Sequence, residues 1–327
     1  MTHPESLDLD VLSPHFHSPE AAVEYLESLR WANGRVCPQC GTVDSAEREH
    51  YLIRRKNSKR KVWKCFSCRK QFTVTVGTIF EDSHVPLNKW LFAFYLLCAS
   101  KKGMSALQLQ RMLKVSYKTA WFMCHRIRWA MAEPAFAEKM TGVVEADETY
   151  VGGKARNKKK GQRHNINVGR GKGKAPVMVV VERGGRAKSK HIANVTSASL
   201  KGVIREHVDS SARIMTDAYP SYKGLHHEFA THEVINHQLD EYVRGDVYTN
   251  TAENYFSILK RGINGVYHRV SEAHLHRYLS EFDFRYNNRE AVGVDDAERA
   301  RRAIAGAEGK RLMYRDSCRP AMSDGDV

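Results

Sequence analysis

The chain has 327 residues and a formal charge of +15, from 52 Lys+Arg against 37 Asp+Glu. Such a length predicts two or three compact units, and the positive excess favours polyanionic partners, nucleic acid above all. The longest apolar stretch, Leu91 to Ala99, falls far short of the roughly 20 residues a membrane span needs, and the acidic start MTHPESLDLD has no basic or apolar signal region. Neither membrane residence nor export is expected, and a cytoplasmic, nucleoid-associated location is.

Ser18-Pro19-Glu20 reads as a helix cap with proline in the first turn, and Val23, Tyr25, Leu26 and Leu29 carry an amphipathic helix to the break at Asn33-Gly34. Cys37-Pro-Gln-Cys40 and Cys65-Phe-Ser-Cys68 then bracket Tyr51-Leu-Ile and Val62-Trp, which predict short strands, and Phe72-Thr-Val-Thr-Val is expected to continue them. Two thiolates of one CxxC turn reach the same ion, so two pairs with 24 residues between them predict a closed four-cysteine Zn2+ site of structural role. Of the seven cysteines, Cys98, Cys124 and Cys318 look incidental. Arg54, Arg55, Lys56, Lys59, Arg60, Lys61 and Lys64 surround Trp63, and such a basic ribbon can grip phosphates, with Arg55, Lys59 and Arg60 as candidate DNA contacts. A solvated charged face is the alternative.

From Pro86 to about Pro134 the apolar spacing turns helical, at Trp90, Phe94 and Leu97, then Leu107 and Leu109 to Leu113, then Ala120 to Ile127, predicting three helices. The last two, joined through Lys114-Val-Ser, have the length and texture of a helix-turn-helix that would bring Tyr117, Lys118 and His125 to a major groove. A packed helical hairpin would show the same periodicity, and Trp121, Phe122 and Ile127 are assigned to its core.

After Gly142 short strand-like runs begin: Val143 to Asp147, Val177 to Glu182, a Gly184-Gly185 turn, then a run near His191 to Val195. A helix at Leu200 to His207 precedes a strand at Arg213 to Thr216, with Asp217 at its end, and a short strand at Glu233 to Asn236. Helices from about Thr251 to Arg261 and Glu272 to Asn287 follow, and the last 35 or so residues read as a helix with a loose tail.

Asp147 on one strand, Asp217 at the end of another and Glu253 at a helix start come from separate elements, as two-cation phosphodiester chemistry requires. Three such acids repel one another unless Mg2+ or Mn2+ relieves them. Glu145, two residues back on the same strand face, competes with Asp147 for the first position, while alternation turns Glu148 to the opposite face. Glu253 also resembles the acid of a capping box begun at Asn250. Lys260 stands two turns beyond Glu253 on the same helix face, where it can meet DNA beside the metals. Nine Lys and Arg between Gly152 and Lys174, among them Lys158, Lys159, Lys160, Lys172 and Lys174, lie among glycines and can neutralise a DNA backbone without reading its sequence. Arg261 is a further candidate contact, and His232 and His237 could orient groups near the acids, a plain surface role being the alternative.

The runs Glu145-Ala-Asp147-Glu-Thr-Tyr-Val-Gly-Gly153, Thr216-Asp217-Ala-Tyr-Pro-Ser-Tyr222 and Thr249-Asn-Thr-Ala-Glu253-Asn-Tyr-Phe-Ser-Ile-Leu-Lys260-Arg-Gly262 resemble the DDE transposases of insertion sequences whose N-terminus carries a zinc ribbon. His274 to Arg289 and Gly77 to Asp82 extend the similarity, which spans roughly residues 20 to 290. The resemblance implies an α/β fold with a ribonuclease-H-like mixed sheet flanked by helices, preceded by a zinc ribbon and a helix-turn-helix module. It implies cleavage of double-stranded DNA at terminal inverted repeats and joining of the freed 3′-hydroxyl to target DNA. Asp147 and Asp217 take the places of the family's aspartates, and Glu253 with Lys260 those of its third acid and following basic residue. Two catalytic Mg2+ or Mn2+ ions, one structural Zn2+ and a homo-oligomer on paired DNA ends are expected. The expected boundaries are a ribbon with its leading helix at 18–80, a DNA-binding helical region at 84–136, a catalytic domain at 140–290 and a helical, partly disordered tail at 291–327.

Overall fold

A computed structural model of the chain describes residues 17–56, 58–133, 138–152, 173–236, 239, 241 and 243–314. These fall into two units, one running to Met131 and taking in the segment from Val294 on, the other spanning Ala132–Gly293.

In the first unit, helix α1 (Pro19–Arg30) begins where Ser18 accepts the N–H of Ala21, and Pro19 occupies a first-turn position that needs no donor. Strands β1 (Tyr51–Arg55), β2 (Ser58–Lys64) and β3 (Gln71–Phe72) form an antiparallel sheet in that order. The strand expected to continue through Thr73-Val-Thr-Val stops at Phe72. Arg30 takes the carbonyls of Val74 and Val76, each at 2.7 Å, and the Thr73 and Thr75 hydroxyls pair at 2.8 Å, which turns the backbone away from the ladder. Helices α2 (Leu87–Ala99), α3 (Ala106–Leu113) and α4 (Tyr117–Met131) follow. Ser105 caps α3, Lys114 in the left-handed region at φ 51° ends it, and the Ser116 hydroxyl accepts the N–H of Thr119 to open α4.

The second unit is built on β4 (Val143–Val151), β5 (Ala175–Glu182), β6 (Ala187–His191), β7 (Arg213–Asp217) and β8 (Thr231–Ile235). Their spatial order is β6-β5-β4-β7-β8. The pairs β4–β5 and β5–β6 are antiparallel, whereas β4–β7 and β7–β8 are parallel, the mixture expected of a meander followed by a helical crossover. That crossover is α5 (Ser197–His207). Strand β6 begins nearer the hairpin than the expected His191–Val195, because the Gly184-Gly185 turn closes directly through the Gly185 N–H and the Glu182 carbonyl.

Strand alternation sorts the sheet's two faces. Val144, Ala146, Met178, Val180 and Ile214 pack with Leu200, Val203 and Ile204 of α5. On the other face Val177, Val179 and Val181 meet Ala252, Tyr255, Phe256 and Leu259 of α6 (Asn250–Gly262) and Leu275, Leu279 and Phe282 of α7 (Glu272–Asn287). A buried carboxylate, Asp283 of α7, locks this face: it accepts the Ser189 N–H and hydroxyl of β6 and the Tyr255 hydroxyl of α6, the last at 2.5 Å. Burial pushes Asp283 up to about 6 despite those donors. A mixed five-stranded sheet covered by helices on both faces is consistent with a ribonuclease-H-like fold.

The expected helix after Gly293 is α8 (Asp296–Ala305), which packs on α2 within the first unit, burying Ala297, Ala300, Ala303 and Ile304, and the buried Arg126 of α4 donates to the Leu312 carbonyl at 3.0 Å. Gly306 allows this closure, since a Cβ there would stand 2.5 Å from the Ala130 carbonyl oxygen. Residues 315–327 lie outside the described residues. A chain ended at Gly293 is therefore expected to lose roughly 3–5 kcal/mol of stability through re-exposed apolar surface. Urea unfolding of the first unit, followed by tryptophan fluorescence, checks this.

Candidate active site and cysteine centre

Cys37, Cys40, Cys65 and Cys68 converge from two similar turns. In each, the first cysteine's carbonyl accepts from a residue with positive φ, Gly41 or Arg69, and its N–H donates to the residue that closes the loop, Thr42 or Lys70. The four sulfurs all lie within 4.8 Å of one another, and no other group of three or more His, Cys, Asp or Glu among the described residues meets that criterion. A soft, closed set of four thiols fits one Zn2+ and leaves no position for a substrate. The Thr42 hydroxyl, then its backbone N–H, draws the Cys40 thiol down to about 6, whereas burial pushes Cys37 up to about 12. A bound cation would remove that disparity by taking all four as thiolates.

The acids are placed by pairing register. Parallel strands β4 and β7 align Glu145 with Met215, so continuing two residues sets Asp147 beside Asp217 on the same face. Helix α6 covers that face and carries Glu253, exposed, in its first turn. Burial is the largest influence on the Asp147 carboxyl, followed by the charges of Glu148, Asp217 and Glu253, and together they push it up to about 8. The Glu148 N–H, 2.8 Å from Asp147 Oδ1, opposes them only in part. Asp217 Oδ1 accepts the Tyr219 N–H at 3.0 Å, which orients that carboxylate. Three hard oxygen donors under mutual repulsion fit divalent Mg2+ or Mn2+, although their oxygens are not drawn within 4.8 Å of one another as the sulfurs are.

Glu145 and Glu148 flank Asp147 and point to opposite faces. Glu145 is fully buried and its two oxygens accept from Thr251 and Ala252 of α6 and from Arg183, while Glu148 Oε2 accepts the Tyr222 hydroxyl at 2.7 Å. Sequence reasoning weighed both glutamates only as rivals for Asp147 and passed over Arg183. The signal was present in acids spaced at odd and even positions of one strand, but their partners become visible only in three dimensions.

Lys260 and Arg261 are exposed on α6, with Lys260 Nζ 5.8 Å from the Phe256 ring. Tyr117 and Lys118 are exposed at the start of α4, Lys118 Nζ lying 4.5 Å from the Tyr314 ring. His125, expected to contact DNA, is instead wholly buried, its ring 4.2 Å from that of Trp121, because it falls on the inward face of α4. Arg55 and Lys59 sit on the β1–β2 hairpin and Arg60 is exposed there, while Lys61 is engaged by Glu24 and Glu27 of α1. Lys174 is exposed, whereas Lys158, Lys159, Lys160, Lys172 and His237 lie outside the described residues. His232 Nε2 is 2.9 Å from the Thr216 hydroxyl next to Asp217, and burial lowers its pKa. No helix among the described residues is long and apolar enough to cross a membrane.

A zinc-ribbon-like module is followed by a mixed sheet carrying Asp147 within one strand and Asp217 at the end of its neighbour, the combination found in the family whose domains this chain matches. Residues 139–287 match the ISXO2-like transposase domain, and residues 17–71 match the transposase zinc-ribbon domain. A protein in the transposable element ISH50 of Halobacterium salinarum is 31% identical over 282 residues, covering 83% of this chain and 91% of its own length. An uncharacterized transposase-like protein of Haemophilus influenzae is 31% identical over 99 residues, 30% of this chain and 79% of its own. The chain belongs to the insertion-sequence transposase family in which a zinc ribbon precedes an ISXO2-like transposase domain.

Two outcomes follow for this site. Cys65→Ala is expected to lower bound zinc, measured by inductively coupled plasma mass spectrometry, from about one equivalent to none, and to shift the fluorescence of buried Trp63 to the red. Asp147 is raised in the folded state, so its contribution to stability is present at acid pH and lost as pH rises from about 4 to about 8. In the zinc-loaded protein without added Mg2+ or Mn2+, Asp147→Asn should therefore raise the Tm at pH 8 but leave it unchanged near pH 4. Mn2+ should stabilise the wild type at pH 8 and not this variant.

Proposed function

We propose that the protein is a DNA transposase that cleaves the terminal inverted repeats of its insertion sequence and joins the freed 3′ ends to target DNA. The alignment of Asp147 beside Asp217, with Glu253 close enough to perturb Asp147, carries this reading. Asp147, Asp217 and Glu253 would hold two Mg2+ or Mn2+ ions. Bound there, such a pair supplies charge stabilisation to the attacking and leaving oxygens of an in-line phosphoryl displacement. The Tyr219 N–H keeps the Asp217 carboxylate turned to the site, and Lys260, two turns along α6 from Glu253, meets a DNA phosphate beside it.

Exposed Lys174 and Arg261 of the second unit and exposed Arg60 of the first bind duplex without reading it, joined by composition by Arg55, Lys59, Lys158, Lys159, Lys160 and Lys172. Helices α3 and α4 with their tight turn act as a helix-turn-helix whose Tyr117 and Lys118 reach base or backbone. His125 is no longer among the contacts. Joining two ends in one event requires a homo-oligomer on DNA, and the protein acts in the cytoplasm at the nucleoid.

A labelled terminal-repeat duplex incubated with Mg2+ and the zinc-loaded protein tests this. Wild type should yield both cleaved and joined products, and Asp147→Asn should lose at least roughly 10³-fold in rate, equivalent to about 4 kcal/mol. Lys260→Ala should weaken DNA binding about tenfold and reduce its salt dependence by about one ion. Cleavage without joining would make the protein a nuclease of this fold, and binding without cleavage a DNA-binding regulator. Either result overturns the reading.

A further inference from the structure

The first turn of α6 carries Glu253, and Thr249 at the N-cap position makes no side-chain capping hydrogen bond. The first N–H groups of a helix have no partner within it, so donors at a buried helix start must be met from elsewhere. Here they are met from the neighbouring strand. Glu145 Oε2 accepts the N–H of Thr251 at 2.7 Å and that of Ala252 at 3.1 Å, and Oε1 accepts the Thr251 hydroxyl at 2.8 Å. A negative carboxylate at this end also complements the helix dipole.

The same carboxylate is held by Arg183 at the end of β5, whose Nε lies 2.6 Å from Glu145 Oε1. The two remaining guanidinium nitrogens donate to the carbonyls of Asp246, at 2.7 Å, and Tyr248, at 2.9 Å, and the group stacks 3.5 Å from the centre of the Tyr248 ring. Residues 246–248 form the approach to α6. Glu145 and Arg183 therefore hold the helix start and the segment leading into it from one point, two residues along β4 from Asp147.

We infer that Glu145 is a positioning residue for the acidic site, fixing the start of α6 against β4 so that Glu253 is held at its working separation from Asp147. Both oxygens are committed to four donors and the side chain is fully buried, so Glu145 is not itself a ligand for the cations. This inference rests on the reading of Asp147, Asp217 and Glu253 as cation ligands. It assigns the first glutamate of Glu145-Ala-Asp147 to geometry and leaves the chemistry to the aspartate.

The test measures Mn2+ binding by electron paramagnetic resonance, and Mn2+ activation of terminal-repeat cleavage, in the full zinc-loaded chain. Wild type, Glu145→Gln, Glu145→Asp, Thr251→Val and Asp147→Asn are compared after their Tm values are recorded. Positioning predicts that Glu145→Gln weakens Mn2+ binding and raises the half-activating Mn2+ at least tenfold, with much of the maximal rate recovered at saturating Mn2+. Glu145→Asp should restore part of the affinity, and Thr251→Val, which removes only the hydroxyl contact, should cost two- to threefold. Wild-type Mn2+ affinity in folded Glu145→Gln overturns the inference. So does a Glu145→Gln protein as inert as Asp147→Asn at every Mn2+ concentration, which would make Glu145 a ligand. Should Glu145→Gln fail to fold, Glu145→Asp and Thr251→Val decide, and wild-type affinity in both overturns it. Failure of the underlying metal reading looks different: the wild type would then bind no Mn2+, or Asp147→Asn would bind it equally well.

Discussion

The parallel pairing of β4 with β7 is the constraint on which the acidic site depends. It brings together two strands separated by a hairpin and a crossover helix, and its register sets Asp147 beside Asp217 on one face. Asp147 lies in the middle of β4 and Asp217 at the end of β7. What is unusual is that two acids are held side by side under a helix that contributes a third, so that the fold concentrates negative charge where burial already disfavours it. Under the proposed function that cost is met by divalent cations, whose charge would turn the repulsion into binding.

Around that strained centre the second unit is tied by buried carboxylates that have their donors. Asp283 joins β6, α6 and α7 through the Ser189 N–H and two hydroxyls. Glu145 joins β4, β5 and α6 through two backbone N–H groups, a hydroxyl and a guanidinium. Buried charge contributes little net stability by itself, but removing one member leaves the others unpaired, so these networks favour one geometry over alternatives of similar hydrophobic burial. Both networks engage α6, the element whose placement decides where Glu253 lies.

The first unit shows a different economy. Its ribbon has few apolar residues between the cysteine pairs and a dense basic hairpin, so the four-thiol centre takes over much of the work a core would do. Lys61, reaching Glu24 and Glu27, together with the Trp63 indole donating to Glu27 at 3.0 Å, binds the hairpin to α1, and part of the basic surface is thus internal cement. The helical part is completed by α8 from the far end of the chain.

The local elements were written in the chain itself. Cap and proline at Ser18-Pro19, the CxxC spacing, the alternation that turned Glu148 away from Asp147, and the 3.6-residue period of α6 and α7 are each readable because they depend on neighbours within a few residues. The runs around Asp147, Asp217 and Glu253 that carry the family resemblance are legible for the same local reason. What spacing could not reach was decided by tertiary contact. Phe72 ends its strand because distant Arg30 takes the next carbonyls, His125 faces inward because α4 packs on that side, and α8 joins the N-terminal unit although nearly two hundred residues separate it from its partner α2. Glu145 is the sharpest case. Periodicity placed it on the correct face beside Asp147, but only the arrival of Arg183 and the open end of α6 committed its two oxygens, because a carboxylate's role follows from which donors reach it and those donors lie 38 and 106 residues away.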